Sequence, residues 1–312
     1  MIKKTVLLAA TALGLSACAT YDDGMAVATA PTMGNTAPEG TIDPAVWRVA
    51  DEDTTVYMLG TFHLLPEGYQ WRTDTIDAAL AESDEVYFEI ADDLSNPAAL
   101  QPLITELAID PSQPTLAARI GEEYATRVAT MVEPLGIPAQ ALNVMDTWFV
   151  GLTLSNAIAM KAGMTGESGV EMTLRTIVEE RGLPIKGLET AREQLSYLDT
   201  MSAEAQREFI LEGLEDTSDE EILEMFSSMQ DSWARGDEQA IGDVFNEGME
   251  IGGEVRSALL TRRNTDWTGD IIQRMGQPGT VFVAVGAGHL VGDDSVVAML
   301  RQRGYTVTRI DD

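Results

Sequence analysis

Two turns built to one plan constrain this chain more than any other feature. Val56-Tyr57-Met58-Leu59-Gly60-Thr61-Phe62-His63 and Val281-Phe282-Val283-Ala284-Val285-Gly286-Ala287-Gly288-His289 each run an apolar segment into a glycine, two residues and a histidine. The chain has only two histidines, and both close a Gly-x-x-His. With 27 glycines in 312 residues, chance gives that spacing to both about 0.7% of the time. The run of five apolar residues at 281–285 reads as a short strand buried on both faces. Glycine after such a strand lets the backbone turn sharply and come close to whatever the histidine meets. In open sheets the carboxyl ends of parallel strands hold ligands, so two imidazoles placed there point to a site.

The strands gather at the two ends of the chain. Near the start, 45–49 and 54–59 read as a hairpin across Asp51-Glu52-Asp53, followed by a helix at 73–82 and a strand at 85–90. In that third strand Val86, Phe88 and Ile90 face one way and Tyr87 and Glu89 the other, with Glu89 close to the carboxyl end. At the finish, a strand at 279–285, a helix at 294–303 and a strand at 305–310 read as a β-α-β unit. Between lies a helical insert. Its 146–160 segment is apolar nearly all round yet interrupted by Ser155 and Asn156, which predicts a buried core helix rather than a membrane span, with Gly163 as its stop. Capping boxes at Ser168-Gly169-Val170-Glu171, Thr190-Ala191-Arg192-Glu193 and Ser218-Asp219-Glu220-Glu221 open further helices, and a short strand is expected at 183–186. The expected fold is α+β: a mixed sheet built from N- and C-terminal strand-Gly-x-x-His units, with the large helical insert between them.

Hydrophobic residues make up 45% of the chain, enough for one large core or two small ones. The net charge of −31 excludes nucleic acid as a partner, because phosphate binding needs clustered Lys and Arg. A single cysteine excludes an internal disulfide. Residues 1–18 read as a targeting segment: Lys3 and Lys4, then an apolar run too short to span a bilayer. Leu15-Ser16-Ala17-Cys18 resembles the lipobox of bacterial lipoproteins, which implies cleavage before Cys18 and its acylation; the alternative is a secreted protein cut after Ala19. Ala19 rather than Asp after the cysteine implies, by resemblance to Gram-negative sorting rules, the periplasmic face of the outer membrane. Residues 19–44 read as a flexible tether, and the domain runs from 45 to 312.

The chain resembles the TraB/GumN family, relatives of the Tiki metalloproteases, over about 45–312. The resemblance rests on Leu59-Gly60-Thr61-Phe62-His63, Val86-Tyr87-Phe88-Glu89, Gly187-Leu188-Glu189-Thr190 with Gln194, Arg263-Asn264 with Trp267, and Val285 through Gly292 to Gly304-Tyr305. It implies a fold like that of the Tiki, EreA and ChaN proteins. One departure is Glu171, where a Gly-x-Asp pattern is expected; the capping box accounts for a Glu there and weakens a catalytic role.

Read from the residues alone, His63, His289 and Glu89 form a 2-His-1-carboxylate set for a divalent metal with open positions. Such a metal lowers the pKa of bound water and polarises a carbonyl, the two needs of amide hydrolysis. Resemblance implies Mn²⁺ or Co²⁺; ligand type alone suits Zn²⁺ or Fe²⁺ equally. Glu89 is either a ligand or the general base. Arg263 and Asn264 are candidates to hold a substrate carbonyl or oxyanion, and Glu189 a carboxylate behind the ligands. A peptide or protein is the expected substrate. Two other classes stay open: a haem- or iron-binding lipoprotein of the ChaN kind, and a non-catalytic assembly factor for the envelope. A structural role for each histidine, and packing for Trp47, Trp71, Trp148 and Trp267, are the plainer readings.

Overall fold

The computed structural model describes residues 41–92, 97–214, 218–247 and 253–310; Cys18 and nearly all of the expected tether lie outside them. β1 (Val46–Ala50) and β2 (Thr54–Thr61) form an antiparallel hairpin. At its turn, Asp51 Oδ1 accepts from the amides of Asp53 and Thr54. β3 (Glu85–Ile90), β4 (Ile185–Glu189), β5 (Gly279–Gly286) and β6 (Val307–Ile310) complete a six-stranded sheet of order β4-β3-β5-β2-β1-β6. The β4-β3-β5-β2 part is parallel, and β1 pairs antiparallel with both β2 and β6. The fold is thus mixed, with strands from both ends of the chain in one sheet. β2 and β5 occupy its middle, as expected for apolar runs that bury both faces.

The closing segment differs from the expected unit. β6 follows β5 through a short helix, but β2 and β1 lie between the two strands. The reason is competition for β5: β2 is buried along nearly its whole length and takes the place beside it. β6 has only four residues, of which Val307 alone is buried, which suits a sheet edge.

Helix α1 (Asp74–Glu82) starts at the Thr73 N-cap, whose hydroxyl accepts from the Ile76 amide. Between β3 and β4 come α2 (Pro97–Ala108), α3 (Leu116–Ile120), α4 (Glu122–Val132), α5 (Thr147–Lys161) and α6 (Val170–Glu180). Between β4 and β5 come α7 (Ala191–Asp199), α8 (Ala203–Glu212), α9 (Asp219–Ala234), α10 (Glu238–Glu247), α11 (Gly253–Arg256) and α12 (Arg262–Met275). A π-helical turn, Ser257–Thr261, joins the last two, and α13 (Val296–Gln302) precedes β6. The sheet and its covering helices share one core, while Ile120, Val128, Ile158, Met164 and Phe226 belong to a second, mainly helical one. α5 is buried on most of its surface, and Ser155 satisfies its hydroxyl on the Gly151 carbonyl at 3.0 Å. Among the described residues no helix is long and apolar enough to cross a membrane.

The capping boxes at Thr190 and Ser218 form. The one at Ser168 does not. Gly169 is the N-cap of α6 instead, because its backbone lies against the first histidine turn: a Cβ there would come 2.3 Å from the His63 carbonyl oxygen. Val170 N–H donates to the Phe62 carbonyl at 3.0 Å in the same contact. With Gly169 as cap, Glu171 sits one position too early to close a box, and its carboxylate goes elsewhere.

Candidate functional site

The parallel register of β2 and β5 sets Gly60 opposite Val285 and Thr61 opposite Gly286, so both histidine turns leave the sheet side by side. They pack backbone to backbone: a Cβ on Gly60 would come 2.9 Å from Ala287 Cα. Glu89, next to last in β3, joins them from the other side of β5, with its Oε1 accepting from the Gly286 amide at 2.8 Å. A Cβ on Gly286 would lie 3.2 Å from that Oε1, 3.4 Å from His289 Cδ2 and 3.6 Å from His63 Nε2. Glycine here keeps open the space that the three side chains share.

His63 stands between carboxylates. Its Nδ1–H donates to Glu171 Oε2, and its Nε2 lies 3.7 Å from Glu89 Oε1. Glu171 is steadied by the Thr61 hydroxyl, which donates to its Oε1 at 2.8 Å. Burial pushes the His63 pKa down, but Glu171 and then Glu89 outweigh it, and the ring is pushed up to about 9.

His289 has the opposite surroundings. Its Nδ1–H donates to Asn264 Oδ1 at 2.6 Å, and Asn264 Nδ2 is held by the Asp294 carbonyl at 2.8 Å, which orients the amide. Nε2 is left as the acceptor, facing Arg263 Nη1 at 3.1 Å and Glu89 Oε1 at 3.9 Å. Trp267 packs on the imidazole with centroids 4.4 Å apart, and Arg263 lies over the Trp267 ring. Burial and then Arg263 push the His289 pKa down to about 3, so the ring is neutral.

Arg263 is the cation at the centre. It donates to Glu89 Oε2 at 2.5 Å, to Glu189 Oε1 at 2.7 Å and to the Leu259 carbonyl. Gln194 Nε2 bridges the same two carboxylates from the other side, at 3.1 and 2.9 Å. Burial alone would raise Glu89; Arg263, then the two histidines and the Gly286 amide, hold its carboxyl well below the usual carboxylate range. For Glu189 burial prevails over Arg263 and the pKa is raised.

The candidate site residues His63, Glu89, Glu189, Arg263, Asn264 and His289 all lie in one buried cluster. Among the described residues, the carboxylate–imidazole group whose donor atoms all lie within 4.8 Å of one another is His63, Glu89 and Glu171. His289 is not part of that group: its Nε2 faces Arg263 Nη1, while Glu171 stands beside His63 and Glu89. These donors, one imidazole and two carboxylates, fit a divalent cation. Asn264 is fully buried and uses both ends of its amide to hold His289, so it does not reach outward to a substrate. Arg263 is likewise enclosed by its acceptors. Glu189 sits at the last position of a strand that begins at Ile185, later than expected, and ion-pairs Arg263. Trp267 is buried as expected, but against His289. Glu171, whose catalytic role the capping-box reading weakens, stands in the site, and its signal is the departure itself: a carboxylate two residues after a glycine.

The family described as TraB/PrgY/gumN matches the chain over residues 45–309. Escherichia coli (strain K12) YbaP, described only as an uncharacterized protein, is 25% identical over 203 residues, which cover 63% of this chain and 72% of YbaP. The same figures hold for YbaP of Shigella flexneri. An uncharacterized protein of Treponema pallidum (strain Nichols) is 24% identical over 274 residues, 82% of this chain and 80% of its own. No solved structure matches the chain. With nearly all of the described sheet and every residue of the buried cluster inside the matched span, the chain belongs to the TraB/PrgY/gumN family.

Proposed function

We propose that the protein is a divalent-metal-dependent hydrolase that cleaves amide bonds in a peptide or protein, anchored by an acylated Cys18 at the periplasmic face of the outer membrane. The observation that carries this reading is the convergence of His63, Glu89 and Glu171 at the carboxyl ends of parallel strands, in a space that Gly286 leaves open. His63 and Glu89 would hold the metal, with Glu171 as third donor or as the carboxylate that orients the His63 ring. The metal, when bound, lowers the pKa of water and polarises the scissile carbonyl. The chain's own residues do the rest. Arg263 neutralises Glu89 and Glu189 and supplies positive charge beside the site, and Asn264 keeps His289 in the Nδ1–H form. Resemblance favours Mn²⁺ or Co²⁺, while the donors suit Zn²⁺ or Fe²⁺ as well.

The test is metal binding by the purified protein. Mn²⁺ should raise the melting temperature with concentration, by mass action, and His63→Ala should abolish that rise. Glu89→Gln separates base from ligand: as base it keeps metal and loses hydrolysis, as ligand it loses both. His289→Ala matching His63→Ala in metal loss, with no further loss in the double variant, would add His289 to the ligands. A wild type that takes up neither Mn²⁺, Co²⁺, Zn²⁺ nor Fe²⁺ would overturn the reading.

A further inference from the structure

The two segments that meet at His63 and Glu171 are held from behind by one helix. The β1 ladder on β2 ends at Leu59, and just past it the Trp233 indole N–H of α9 donates to the Gly60 carbonyl at 2.8 Å. The Trp233 ring also packs on Phe62, at 5.3 Å between centroids, and on Trp71, at 6.3 Å. It therefore grips the turn on both sides of Thr61, the residue that holds Glu171. One turn earlier on α9, Gln230 is 1% exposed and donates to the Met164 sulfur at 2.9 Å. Met164 adjoins Thr165, which exchanges backbone hydrogen bonds with Leu65 and leads into Gly169 and Glu171. Positions 230 and 233 share one face of a helix, so a single surface braces both segments. α9 is also common to the two cores: Ile222 and Phe226 lie in the helical one, Met229 and Trp233 in that of the sheet.

We propose that α9 is a positioning element for the site, with Trp233 holding the first histidine turn and Gln230 the loop that delivers Glu171, so that together they set the contact between His63 and Glu171. Neither residue touches the reacting groups. They act through Gly60, Phe62 and Met164, and the helical lobe is thereby tied to the geometry at the sheet.

The chain's two histidines make the readout direct. In ¹⁵N-labelled full-length protein without added metal, the His63 Nδ1–H donated to Glu171 gives a downfield proton, assigned by its absence in His63→Gln. Trp233→Phe keeps an aromatic ring and removes the N–H. Its control is Trp47→Phe, an equal loss of volume in the same core at an indole whose Nε1 has no hydrogen-bond partner among the described residues. Trp233→Phe should lose the downfield proton and shift the His63 ring signals, while Trp47→Phe keeps both. Wild-type His63 signals in Trp233→Phe, or an equal disturbance in Trp47→Phe, would overturn the proposal. Should Trp233→Phe fail to fold, Gln230→Met carries the test: loss of the same proton is expected, and its retention overturns. Because no metal enters the readout, the result stands apart from the hydrolase reading.

Discussion

The two Gly-x-x-His turns share a local plan and end in opposite electrostatic states. Each leaves the carboxyl end of a buried parallel strand, and the strands are hydrogen-bonded neighbours. Yet His63 is pushed up to about 9 and His289 down to about 3. Local sequence does not cause the difference. His63 meets Glu171 from the start of α6, whereas His289 meets Arg263 and Asn264 from α12. Each turn supplies an imidazole at a fixed place, and a helix from the insert decides its proton. At neutral pH the site therefore holds one cationic and one neutral ring around a single carboxylate, Glu89. Under the proposed reading, a metal at His63 would displace a proton held by Glu171 and Glu89.

The sharpest way to break this asymmetry is to remove its cation. Arg263→Met strands Glu89 and Glu189 in the interior without a counter-charge, and should cost about 3–5 kcal/mol in denaturant unfolding. A loss under about 1 kcal/mol would mean that the network carries no such interdependence.

Next in size is the dependence on pH. His63, with its folded pKa above the usual 6.5, contributes stability that is complete below pH 6.5 and lost as pH rises through about 9. That limb is worth roughly 3 kcal/mol. His289, with its folded pKa at about 3, has the opposite sign: stability is full above pH 6.5 and declines as pH falls toward 3, joined by Glu89 below its ordinary range. Unfolding free energy should peak near pH 6.5. His63→Gln should flatten the alkaline limb and leave the acid one, and His289→Gln the reverse. Identical pH profiles for the two variants would erase the contrast.

A smaller change should sharpen it. Asn264→Asp gives His289 a carboxylate at Nδ1, as His63 already has, and should raise its pKa toward that of His63, read from ring chemical shifts through a titration. Smallest of all is Thr61→Val, nearly isosteric, which removes the hydroxyl from Glu171 and should cost about 1.5 kcal/mol while lowering the His63 pKa. No movement in that pKa would mean Glu171 needs no help from β2.

How much of this was legible follows from the range of each interaction. β3 spans the residues read from its alternation, and the Thr190 and Ser218 caps form as their spacing requires, because such signals act within a few residues. The failures are all contests settled at a distance. Ser168 and Glu171 have the spacing of a cap, but Gly169 is pressed against the His63 carbonyl and the box gives way. β6 has the spacing of a β-α-β partner for β5, but β2 competes better for that edge.

The sequence by itself determined the two histidine turns, their strands and the acidic residue of β3, since each is written in residues next to one another. Only the tertiary structure decided which groups each imidazole meets. Glu171, Arg263 and Asn264 lie at least 25 residues along the chain from the histidines and carboxylates they hold, and Gln194 lies 105 from Glu89. Whether a charge at such a residue raises or lowers a neighbour's pKa depends on a separation of a few ångströms in a buried space. No local pattern encodes that distance, because it is the sum of how the sheet, α6 and α12 pack.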